Sequence, residues 1–168
     1  MQPTEALTAS SQIAVTLAGF AGVVVAFRTR SVHEWSKLDK FRLEILLSNS
    51  VMPFMLSILA MVLMTTNLPE QTIWRWCSLI AFIITVARGQ VLSRTYRAFS
   101  REELKASGSR RWIFLSAAVL GIAATVLQIY NVIRAQTFWP FFALLATWLC
   151  LAMVQFVLLV TAPHQSES

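Results

Sequence analysis

Charge is scarce in this chain, and so are the residues from which metal and nucleophilic sites are built. Only 13% of its 168 residues are Asp, Glu, Lys or Arg, and it has two cysteines and two histidines. Cys77 and Cys150 each fall inside an apolar run, where a thiol serves as a small hydrophobe, so no disulfide framework and no paired-cysteine zinc site is expected. His33 and His164 lie outside the apolar runs, and no two carboxylates share one. HExxH, the Walker glycine loop and GxSxG are also missing. Acid–base and metal-assisted chemistry therefore lack their usual materials: no catalytic residue, metal ligand or cofactor is assigned, and an enzyme is not expected, a hydroxyl-based site being the one route left open. The basic residues have no aromatic base-stacking surface beside them, so nucleic acid is not an expected partner. No positively charged segment precedes the first apolar run, which is read as a retained span and not as a cleaved signal.

What is abundant is apolar surface. The chain is 57% hydrophobic with a mean hydropathy of +0.63, more than a soluble domain of its size can bury. A helix needs about 20 apolar residues to cross a bilayer core. Five stretches qualify, at 8–27, 43–65, 73–92, 112–132 and 138–160. They are too long for barrel strands and do not alternate, and open strands would leave unpaired backbone groups facing lipid. The expected fold is an all-α polytopic bundle forming one integral membrane domain: a first helix followed by two helical hairpins.

The scarce charge is placed asymmetrically. Arg28, Arg30, Lys37, Lys40 and Arg42 follow the first span; Arg88, near the inner end of the third, is followed by Arg94, Arg97, Arg101, Lys105, Arg110 and Arg111; Arg75 and Arg134 alone lie on the opposite side. The positive-inside bias predicts an outside N-terminus, cytoplasmic basic loops at 28–42 and 93–111, and a cytoplasmic C-terminus, as in a multi-pass protein of a bacterial inner membrane or its equivalent. Anionic headgroups are the expected neighbours of those loops. Trp35, Trp74, Trp76, Trp112, Trp139 and Tyr130 fall near span ends, as interfacial aromatics do, whereas Trp148 is mid-span and must pack between helices or pair its indole locally.

Polar residues within the spans form two levels. The inner one holds Glu44, Ser48, Asn49, Ser50, Arg88 and Gln155, with Pro53 a turn beyond Asn49. Proline at 53 leaves the Asn49 carbonyl without its helical donor, so this patch is either a kink satisfied by neighbouring helices or a hydrated, cation-coordinating vestibule. Arg88 is expected to reach toward the nearer membrane face and to pair with Glu44. The outer level holds Gln12, Gln128 and Asn131, the last two on one helical face, and their amides are expected to bond across helices. In the first span Ala14, Ala18, Gly22 and Ala26 repeat every four residues, a stripe on which another helix can pack closely. Capping patterns at Ser31–Glu34, Ser36–Asp39 and Ser100–Glu103 predict helix starts in the basic loops, the last opening a short surface helix at 101–107.

An offset of 65 matches Thr72, Trp74, Leu79, Ala81, Ala87 and Gln90 to Thr137, Trp139, Leu144, Ala146, Ala152 and Gln155, which leaves a duplicated hairpin with parallel repeats open, although the second and fourth spans do not match at that offset. Two functions fit. One is a small homo-oligomeric channel or transport protein for ions or small solutes, conducting between subunits because one chain has no continuous charged path. The other is a non-enzymatic accessory or assembly subunit packed beside a larger membrane partner.

Overall fold

The computed structural model describes residues 2–27, 35, 37–97 and 111–160; the capping pattern at 31–34, the surface helix at 101–107 and the C-terminal tail lie outside the described residues. Within them the chain is helical. The described helices are α1 (Pro3–Phe27), α2 (Lys37–Met64), α3 (Glu70–Arg97), α4 (Arg111–Tyr130) and α5 (Phe138–Val160), with a π-helical turn, Asn131–Ala135, between α4 and α5. There are five stretches long and apolar enough to cross a membrane, and no strand occurs among the described residues.

Local chemistry sets the helix ends. Proline at the first position of α1 has no N–H to leave unpaired, and Glu5 folds back to accept from the Gln2 backbone N–H at 3.3 Å. α2 starts at Lys37, the early start allowed by the Ser36–Asp39 pattern, and it absorbs Lys37–Arg42 from the first basic loop. At its other end the Thr65 and Thr66 hydroxyls donate to the Val62 and Leu63 carbonyls at 2.7 and 2.6 Å, after which Pro69 opens the turn into α3. α3 outruns its predicted span at both ends and carries Ser93–Arg97 as helix. Pro53 is fully buried within an α2 that stays helical around it.

α2 and α5 form the centre of the bundle. α1 packs against both, while α3 and α4 lie together on the other side with the π turn. One apolar cluster, at the end holding the α2–α3 turn, joins Leu7, Leu56, Ala60, Ile73, Trp74, Cys77, Phe141, Leu144 and Trp148. A second, toward the basic loops, joins Ala14, Leu17, Ala21, Trp35, Leu46, Leu149, Ala152 and Leu159. Around them the bundle shows Phe27, Trp76, Val119, Ile122, Val126 and Trp139 to its surroundings. A soluble protein would not leave such a belt in water, and lipid removes the penalty.

The packed face of α1 differs from the four-residue stripe. Leu7, Ser10, Ala14, Leu17 and Ala21 are buried, a three-and-four spacing, whereas Ala18 is half-buried and Gly22 and Ala26 are exposed. A Cβ at Gly22 would meet open space. The small residues permit close approach, but within this chain the larger neighbours on α2 and α5 select the adjoining face.

Candidate functional site

The inner polar level is organised by Arg88. It sits on α3 nine residues before the helix ends, and its guanidinium donates to the side-chain Oδ1 of Asn49 on α2 at 3.2 Å. The same group lies over the ring of Trp148 on α5, 5.6 Å from the centroid. Trp148 is 4% exposed and stands near the middle of α5, roughly 15 Å from either end at the α-helical rise. Arg88 therefore reaches into the bundle and not outward to the nearer face.

The expected ion pair is absent, which corrects that expectation. Glu44 is exposed, acts on Arg88 through space and makes no salt bridge with it. Asn49, one turn and a residue farther along α2, faces the α3–α5 seam, so the amide supplies the acceptor in place of the carboxylate. Neither the neutral oxygen nor the aromatic face neutralises the guanidinium, and among the described residues Asn49 is its one side-chain acceptor. The Asn49 side-chain oxygen is thus already occupied by a cation, the guanidinium.

The other residues of this level do separate things. The Ser50 hydroxyl donates back to the Leu46 carbonyl at 2.9 Å, not to the carbonyl freed by Pro53. Ser48 is half-buried with no part in the cluster. Gln155 is buried on the same α5 face as Trp148 and Ala152, and its Oε1 has no hydrogen-bond partner among the described residues. The Ser57 hydroxyl, fully buried one turn beyond Pro53, has none either.

The second level is a structural lock. Asn131 donates to the Ser78 hydroxyl on α3 at 2.7 Å and to the Thr137 carbonyl at 3.0 Å, and its Oδ1 accepts from the Thr137 backbone N–H at 3.0 Å. One side chain thus ties the end of α4 to α3 and to the start of α5. Gln128 donates to the Pro140 carbonyl at 2.8 Å, bridging α4 to α5. These amides bond across helices as the sequence suggests. Gln12 is exposed on α1 and stands apart from them.

The π turn is coupled to this lock. Gln136 donates its backbone N–H to the Asn131 carbonyl at 3.0 Å, a five-residue closure, and takes a left-handed conformation with φ 49°. Sequence periodicity carries no sign of it. Nor did the sequence assign Trp148 to Arg88; the one signal was a tryptophan placed far from either interface.

At the same end a recess of about 360 Å³ opens between α3 and the π turn, lined by Gln71, Thr72, Arg75, Trp76, Leu79, Val132 and Gln136. A smaller slot of about 130 Å³ between α1 and α2 is lined by Ala14, Val15, Ala18, Ser50, Val51 and Phe54. Neither is lined by Arg88. Among the described residues, no three of His, Cys, Asp and Glu converge as a metal site would require. Compared with known proteins, the chain matches no family model, no curated protein and no solved structure.

Proposed function

We propose that the chain is a small membrane transport protein for an anionic solute, with Arg88 as the fixed charge that reads it. The observation that carries this is the guanidinium held inside the bundle by Asn49 and Trp148 without a carboxylate salt bridge. An arginine within a transmembrane helix is costly, and intramembrane cations commonly mark solute or ion pathways. Positive groups lining a pathway favour anions. In this reading the solute reaches Arg88 along the seam of α2, α3 and α5, and the open small-residue face of α1, at Ala18, Gly22 and Ala26, serves contact between copies of the chain. The basic loops face the cytoplasm in the same reading.

The test is flux into liposomes containing the purified protein, with chloride and small carboxylates compared against potassium. Anion flux should exceed cation flux, and Arg88→Gln should reduce it at least about ten-fold, as expected if one charged contact contributes about 1.4 kcal/mol. Helicity and elution volume in detergent show whether the variant is folded. Equal anion and cation flux, or full anion flux in a folded Arg88→Gln protein, refutes the reading.

The accessory-subunit reading draws on α4. Leu115, Val119, Leu120, Ile122, Val126 and Ile129 are all exposed along it, an apolar surface that a membrane partner could cover as well as lipid could. Extraction in a mild detergent and sizing distinguish the two: a complex with a second polypeptide supports the accessory role, and a self-assembly of this chain alone supports transport.

A further inference from the structure

The recess between α3 and the π turn lies at the end opposite Arg88 and belongs to neither polar level. We propose that it binds one anionic phospholipid, with the phosphate at Arg75 and an acyl chain along Leu79 and Val132. Arg75 is exposed and makes no ion pair or side-chain hydrogen bond among the described residues. The nearest candidate carboxylate on its own helix, Glu70, is engaged with the Trp74 indole N–H at 3.0 Å. Gln71, Thr72 and Gln136 add neutral donors around the guanidinium, and Trp76, half exposed, supplies an amphipathic wall.

The distribution of these groups selects the ligand. From Gln71 to Leu79 the recess runs along α3 over roughly 12 Å, passing from polar groups near the helix start to aliphatic ones. A free phosphate would use the rim and leave the aliphatic floor empty, while a purely apolar molecule would leave the guanidinium unmatched. A molecule with a phosphate at one end and a hydrocarbon chain at the other matches both. A choline headgroup would bring a second cation beside Arg75, so a glycerol headgroup is preferred. The wall that carries Gln136 is held in place, because Asn131 pins the π turn to Ser78 and Thr137.

The full-length protein should be reconstituted with equal phosphatidylglycerol and phosphatidylcholine, and the lipid retained per chain read by native mass spectrometry. Phosphatidylglycerol should be retained in preference, and Arg75→Ala should lower its retention about five-fold, the factor one basic residue contributes at a membrane surface. Gln136→Gly, which removes the side chain but suits the left-handed backbone, should lower it less. Arg134→Ala, an exposed cation near the same end that does not line the recess, should leave it unchanged. Soluble glycerol phosphate should not displace the lipid. Equal retention of the two lipids, no effect of Arg75→Ala, an equal effect of Arg134→Ala, or displacement by glycerol phosphate each overturns the proposal.

Discussion

Two asparagines, both buried within membrane-spanning helices, do opposite work in this bundle. Asn131 spends both ends of its amide on uncharged partners and closes a turn. Asn49 gives its oxygen to a guanidinium and so keeps a charge inside the bundle. Residue type and depth do not separate the two. The partner does: a neutral network fixes geometry, whereas an amide that holds a cation preserves a charge for which the described residues provide no salt bridge.

The comparison can be broken at either asparagine. Asn49→Leu should destabilise the bundle by about 2–3 kcal/mol in reversible unfolding from mixed micelles, because a charged donor loses its acceptor. Adding Arg88→Leu should restore most of that stability, since removing both partners of a buried hydrogen bond is close to neutral. If the double variant is no better than the single one, the amide and the guanidinium are not coupled. Asn131→Leu should cost about 2 kcal/mol, three bonds at the roughly 0.6 kcal/mol typical inside membranes. No single second substitution should recover it, as its partners lie on separate elements.

Smaller effects sharpen the contrast. Gln136→Gly should stabilise the protein by about 1 kcal/mol, since the left-handed backbone at the end of the π turn penalises a side chain. A loss of stability would mean that the Gln136 side chain supports the turn. Gly22→Ala, on a face where a Cβ meets nothing, should shift stability by less than about 0.5 kcal/mol in the isolated chain. A larger loss that depends on protein concentration would place a second copy against that face.

Much of the architecture was legible from apolar run length alone, because a bilayer forces helices of a minimum span and leaves few alternatives. The boundaries were less so. α3 continues to Arg97 because basic residues near a membrane surface remain good helix formers, and apolar length marks only the buried part. The direction of Arg88 was not legible. Its side chain is long enough to reach either toward the basic end or toward Trp148, and only the packing of α2 and α5 decides between them. The matched positions of the 65-residue echo differ in environment for a related reason. Trp74 is 1% exposed and Trp139 56%, and Gln90 is exposed where Gln155 is buried, so matched letters occupy unlike surroundings.

The wide turn at 131–135 limits the lengths this chain can take. Removing a single residue there, Ile133 for instance, would pull Gln136 and Thr137 out of register with Asn131, whose carbonyl and side chain close the turn on both. The tie from the turn to Ser78 on α3 would be lost with them. Natural or engineered shortening of that connection should therefore be felt first where three helices meet at one amide.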